Sequence, residues 1–382
     1  MFGAVAPEAV ATAPRERGWR WFVLGLVLMV AVTASPAWPA PLALLAGAVR
    51  LLLPMEQFAL LVLTGIAACA IVGWWNGGRL LSAVLWTAAA AYVVWKVPMP
   101  LSGYGAFLRG WAVVLGAAFG LVCLATASRP FLARALAAVG LAGTVTVAGL
   151  ALRAPEGQPA FAGVEQMLTT EYQQRLSGSL EQWRARSTSD TWREFAKRVP
   201  LAIERASRFE SLLVMLGEPV SASSAVGGTR ASPLVRLAPA LLALESLMAL
   251  ALAWSAYHRL SRARVGPPLG ALRELRFNDQ LVWGVVVGVT ILLLPTLAGY
   301  RLVGLNLVCF FGTLYALRGA GVLSCWIPER VALWLPLGLV VLVPILGPVW
   351  VLLALLAVTF TLGLGDTWRD FRAGTSPRGS PR

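Results

Sequence analysis

Apolar and polar positions along this chain alternate in long blocks rather than residue by residue. Between Leu237 and Phe360 apolar runs are separated by short gaps, and the gap His258–Phe277 holds five arginines. A membrane-spanning helix takes about 20 apolar residues to cross a hydrocarbon core of ~30 Å. Runs of that size recur at Gln57–Trp75, Leu80–Val97, Phe107–Ala127, Ala135–Leu152, Leu237–Tyr257, Leu281–Gly299 and Leu302 to about Leu323. The last run, Val331–Leu364, would measure roughly 51 Å as one helix at 1.5 Å per residue. Pro344 and Gly347-Pro348 divide it into a tight helical hairpin. Near the start, Arg15, Arg17 and Arg20 precede an apolar run from Trp21 that Pro36 closes. That stretch resembles a signal peptide cleaved after Ala34, but the charge parity downstream favours an uncleaved first span. Leu42–Leu53 contains Arg50 and is too short to cross, so it reads as a re-entrant or interfacial helix. The pattern predicts an all-α, polytopic membrane protein of about ten transmembrane helices.

Sidedness follows from the gaps. Asn76–Arg79 and Ser128–Arg134 carry arginine, whereas Pro98–Gly105 carries none. Clustered Arg in short loops marks the cytoplasmic side. Counting through the spans puts both termini in the cytoplasm and exports Arg153–Pro233. Arg369, Arg372, Arg378 and Arg382 in the tail agree.

The exported insert is the one stretch that reads as water-soluble. Phe161, Val164, Met167/Leu168, Tyr172, Leu176, Leu180 and Trp183 recur every three or four residues, an amphipathic helix. Thr191 and Glu194 have capping-box spacing before a second stripe, Trp192, Phe195, Val199, Ile203, Phe209 and Leu212/Leu213. The two helices make an extracytoplasmic hairpin, predicted to rest on its own spans as a lid. Its other reading is an arm that docks a partner. Four regions result: 1–152, an N-terminal membrane region; 153–232, the insert; 233–364, a C-terminal membrane region; 365–382, a cytoplasmic tail.

Composition supports lipid as the solvent. Of 382 residues 58% are apolar and only 13% are charged, where soluble domains approach a quarter. The formal charge of +14 would suit nucleic acid, but its location does not. The insert is nearly balanced, with ten Lys+Arg against nine Asp+Glu, so the excess flanks the apolar runs. Flanking positive charge orients spans and attracts anionic headgroups. The bilayer is therefore the expected partner, and no nucleic acid is. Cys69, Cys123, Cys309 and Cys325 show no CxxC spacing, and His258 is the single histidine. Neither a metal site nor a cofactor is expected, and His258 reads as a residue at the lipid interface. GxSxG, HExxH and P-loop signatures are all missing, so no enzymatic activity is expected.

Ionisable residues inside spans are the functional leads, since each costs about 2.5–3.5 kcal/mol on insertion scales. Glu245 falls near the middle of its span, and Asn306 enters the next-but-one span from the same face. The expectation is that both line an outward-facing polar cavity, with Trp254 and Trp283 as walls. A protonated Glu245 that merely bonds a neighbouring helix is the competing reading. Asp279 and Arg318 sit at equal depth on antiparallel spans and predict a structural ion pair. Gly116–Gly120 and Gly284–Gly288 have GxxxG spacing and predict close internal helix packing.

The C-terminal third reads Leu275-Arg-Phe-Asn-Asp-Gln-Leu-Val-Trp-Gly284, then Leu305-Asn306, Leu314-Tyr-Ala-Leu-Arg-Gly319 and Gly363-Leu-Gly-Asp-Thr-Trp-Arg-Asp-Phe-Arg372. In this order the motifs resemble the YybS-like family of bacterial multi-span membrane proteins, a family of unknown function. The resemblance covers roughly Pro233–Arg372 and implies that Asn306 and Gly319 match the family's recurrent residues. That family is distantly similar to the substrate-binding subunits of energy-coupling-factor vitamin transporters, which implies a small-molecule pocket near the outer face. This chain departs from those subunits in its number of spans, its insert and the missing early-span alanine motif.

Two functions are consistent with these observations. The first is an uncharacterised bacterial inner-membrane protein that binds or transports a small solute through a cavity at Glu245 and Asn306. The second is a non-transporting scaffold or assembly factor whose hairpin docks a membrane-protein partner.

Overall fold

The computed structural model describes residues 55–96, 103–126, 129–153, 233–261, 265–326, 348–369 and 371, with helical positions 164, 166–171, 173, 174, 177, 178, 181 and 190 in the insert. The expected first span, the segment 42–53, the second insert helix and the turn dividing 331–364 lie outside the described residues. Every regular element among those described is helical.

The long elements are α1 (Met55–Trp75), α2 (Leu80–Lys96), α3 (Gly103–Ala125), α4 (Phe131–Arg153), α5 (Pro233–Leu260), α6 (Val282–Leu293), α7 (Arg301–Trp326) and α8 (Pro348–Gly365). Among the described residues, five helical stretches are long and apolar enough to cross a membrane: Gln57–Trp75, Gly103–Ala125, Phe131–Leu152, Val235–Leu260 and Pro295–Trp326. Shorter apolar helices cover Leu80–Lys96, Asp279–Leu293 and Ala354–Gly365. Leu81, Leu85, Tyr92 and Trp95 of α2 face outward, as do Leu355, Leu356 and Val358 of α8. In water such a surface would be untenable; in lipid it is the required one. The protein is a membrane protein with several spanning helices.

Helices α1, α3, α5 and α7 run the same way. Thr64 lies beside Gly116, Ala253 beside Gly65, and Asn306 bonds Arg236 and Ala240. α8 joins this direction through Gly363, which meets Tyr315 and Gly319. α6 runs against α7, with Gly288 on Gly304 and Gly284 on Phe311. Four residues, Asn76–Arg79, turn α1 into α2, and a similarly short segment turns α3 into α4. The insert therefore attaches at the end where α1, α3 and α5 begin, and the His258–Phe277 loop lies at the opposite end.

α1 is the centre of one half, wrapped by α2, α3 and α5, while α4 lies at the rim. α7 is the centre of the other half, wrapped by α6, α8 and α5. α5 touches both halves and thereby joins them. Small residues set the spacing: a Cβ on Gly65 would lie 2.8 Å from that of Ala253, and one on Gly116 would lie 3.2 Å from the Thr64 carbonyl oxygen. Close backbone approach lets dispersion replace the hydrophobic drive that lipid cannot supply. Threonines inside helices donate to their own backbone, as Thr359 does to Leu355 O at 2.7 Å. No hydroxyl of that kind then needs water.

Candidate functional site

Glu245 lies in the middle of α5 and is 3% exposed. Its neighbour Ser246 donates to Leu242 O at 2.7 Å and accepts from Trp111 Nε1 of α3 at 2.9 Å. Nearer the insert end, Tyr104 Oη donates to Gln57 Oε1 at 3.3 Å, tying α3 to α1. Both of these pairs are buried, so polar groups recur through the insert half of an otherwise apolar bundle. Above them Met167 and Leu168 of the insert pack on the core, and a Cβ on Gly103 would come 2.8 Å from Met167 Sδ. This part of the insert rests on the ends of the spans.

Asn306 does not share the depth of Glu245. Its Oδ1 accepts from Ala240 N at 2.9 Å, and its Nδ2 donates to Arg236 O at 2.7 Å and Leu302 O at 2.9 Å. Ala240 precedes Glu245 by five residues, roughly 7.5 Å along a helix. The reason is local: Pro239 sits inside α5, and a helical proline disturbs the backbone pairs beside it. The Asn306 amide is taken up by those groups rather than aimed at a cavity.

Trp254 is also placed differently from expectation. It is enclosed by Phe119, Phe131 and His258, with the Arg134 guanidinium 5.3 Å from its ring centroid. It belongs to a device that holds the loop at the end of the bundle away from the insert. Arg134, 1% exposed, donates through Nη1 to Val265 O at 2.9 Å. His258 Nε2 contacts Gly266 O at 3.0 Å, and Trp254 Nε1 donates to Pro267 O at 3.1 Å. Three successive carbonyls are thus held by three side chains from two helices. Gly266 has φ +155° and would put a Cβ 2.9 Å from Arg134 Nη1, so it is the residue that fits there. Val265 is buried and Leu269 packs on the core, which makes the loop a cap.

Trp283 projects outward from α6 with 64% exposure. The four residues expected to line one cavity are therefore not brought together. Glu245 is buried in mid-span.

Asp279 and Arg318 do meet. Arg318 Nη1 contacts Asp279 Oδ1 at 2.7 Å, while its Nε contacts Asp366 Oδ2 and its Nη2 donates to Asp366 O, at 2.9 and 3.0 Å. The Asp366 side chain is 2% exposed and that of Asp279 is 60% exposed. Phe277 lies under the guanidinium at 5.4 Å and packs edge-on against Tyr315 at 5.2 Å. Asn278 caps the 3-10 turn Asp279–Leu281 by accepting from Gln280 N. Sequence reading missed Asp366 by assigning it to the tail. The available signal was its position directly after an apolar run ending in Gly363 and Gly365. Among the described residues no group of three or more His, Cys, Asp and Glu could hold a metal ion.

Residues 186–367 match the model of a family described as "Predicted membrane protein (DUF2232)". The match begins inside the insert, upstream of Pro233, and ends one residue past Asp366. It supports a membrane protein similar to a family of unknown function. No curated protein and no solved structure matches the chain.

Proposed function

We propose that this chain is a non-enzymatic protein of the bacterial inner membrane that binds or moves a small solute, with Glu245 as the recognising group. The observation behind this reading is the burial of Glu245 in mid-span beside Ser246 and Trp111. A carboxyl group there costs about 2.5–3.5 kcal/mol on insertion scales, which makes it a lead for function. A solute with an amine or other strong hydrogen-bond donors would bind this carboxyl group by adding to the contacts it makes inside the bundle. Access is from the insert side, which the arginine distribution assigns to the exterior with both termini cytoplasmic. The insert acts as a lid there, consistent with Met167 and Leu168 resting on the core. The resemblance to vitamin-binding transporter subunits supports the same class of activity.

Native mass spectrometry of gently extracted protein tests the proposal. A small molecule retained by the wild type and lost from Glu245→Gln is the expected result. If no ligand is retained, and deleting residues 161–216 abolishes function while Glu245→Gln does not, the scaffold reading replaces it.

A further inference from the structure

An unbroken α-helix pairs each N–H with the carbonyl four residues back, which for Ala240 is Arg236. Pro239 has no N–H to give Val235 O and its ring crowds that carbonyl, which opens the turn and weakens the adjoining pair, Ala240 N–H with Arg236 O. In lipid the freed groups have no water to turn to, and each orphan is costly. The Asn306 carboxamide lies across that adjoining pair. Its oxygen takes the Ala240 N–H at 2.9 Å and its nitrogen gives to Arg236 O at 2.7 Å.

We infer that Asn306 is a hinge pin: a side chain of α7 that stands in for the α5 main-chain bond disturbed by Pro239. A carboxamide suits the task because one planar group carries an acceptor and a donor side by side. Asp would keep only the acceptor, and Leu neither. The third bond, from Nδ2 to Leu302 O at 2.9 Å, fixes the amide's orientation on its own helix. The arrangement ties the first two turns of α5 to α7, ahead of the stretch that carries Glu245. Asn306 is thus a positioning residue, and the inference does not depend on any ligand at Glu245.

The test is suppression. Asn306→Leu should speed hydrogen–deuterium exchange of the peptide spanning residues 236–243 by about tenfold or more, the consequence of an orphaned amide. Pro239→Ala returns an N–H for Val235 O and tightens the turn around the Ala240–Arg236 pair, so the double variant Pro239→Ala/Asn306→Leu should return exchange to within about threefold of wild type. Alanine at exposed Met248 of the same helix should not rescue. If Asn306→Leu alone does not accumulate, recovery of folded, monodisperse protein on adding Pro239→Ala is the expected sign. Unchanged exchange in Asn306→Leu, or no rescue by Pro239→Ala, overturns the inference.

Discussion

Gly319 of α7 and Gly363 of α8 meet backbone to backbone with no side chain between them. A Cβ on Gly319 would strike the Thr359 carbonyl oxygen and lie 2.7 Å from Gly363 N. A Cβ on Gly363 would strike the Tyr315 carbonyl oxygen. The obstruction is main chain, so no rotamer change relieves it. Gly319→Ala and Gly363→Ala should each destabilise the protein by about 1–3 kcal/mol or more, the usual cost of overpacking. Gly312 is the control: its Cβ would sit 3.9 Å from Phe360, so Gly312→Ala should be nearly neutral. Thermal unfolding in detergent, followed by tryptophan fluorescence, ranks the three.

This crossing brings Arg318 to Asp366, and the two acidic partners of Arg318 should contribute very unequally. Asp366 is buried with the guanidinium, while Asp279 reaches it from an exposed position. Removing one member of a buried pair strands a charge and costs about 3–5 kcal/mol. Losing an exposed partner costs about 0–1 kcal/mol. Asp366→Asn should therefore unfold far more readily than Asp279→Asn. Equal effects in a denaturant titration would show that the exposed aspartate bears as much of the pair as the enclosed one.

Arg134, Trp254 and His258 hold three consecutive carbonyls of the 265–267 loop. Arg134→Leu should release Val265 from its buried position and expose the loop. A cysteine replacing Val265 should then react with a water-soluble maleimide at least about tenfold faster than in the Arg134 background, since local opening governs access. Trp254→Phe removes one carbonyl contact and keeps the ring stacking, so its effect should be smaller. Identical labelling rates in all three proteins would mean that the cap is held by something else.

How legible all this was depended on the range of the interaction. Apolar block length gave the spanning helices because bilayer thickness acts on each segment separately. Charge and depth together sufficed to pair Asp279 with Arg318, since both sit near span ends whose direction the arginines indicate. Asn306 and Trp254 were singled out as unusual, but their partners are main-chain groups, which carry no letter in the sequence. Pro239 was the available sign that the first turns of α5 would draw on a side chain from another helix. Gly319 and Gly363 are far apart in the chain and only a crossing geometry makes them neighbours. Arg134 was counted as one of many flanking charges, and nothing local distinguished it as buried.

Sidedness can be tested without any knowledge of the solute. The shared direction of α1, α3, α5 and α7 means that the insert and the 265–267 cap attach at opposite ends of the bundle. If α5 spans the membrane, those ends face different compartments. On the proposed sidedness, the arginines at Arg259, Arg273 and Arg276 put the cap on the cytoplasmic face. Alkaline phosphatase fused after Pro155 should be active and after Pro267 inactive, with a fluorescent cytoplasmic reporter giving the reverse. Moving charge should move the outcome: replacing Arg79, Arg129 and the arginines of the 258–277 loop with glutamine should erode the contrast between the two junctions. Activity at both junctions in the unaltered protein would place the cap outside with the insert. Glu245 would then lose its assigned route of access.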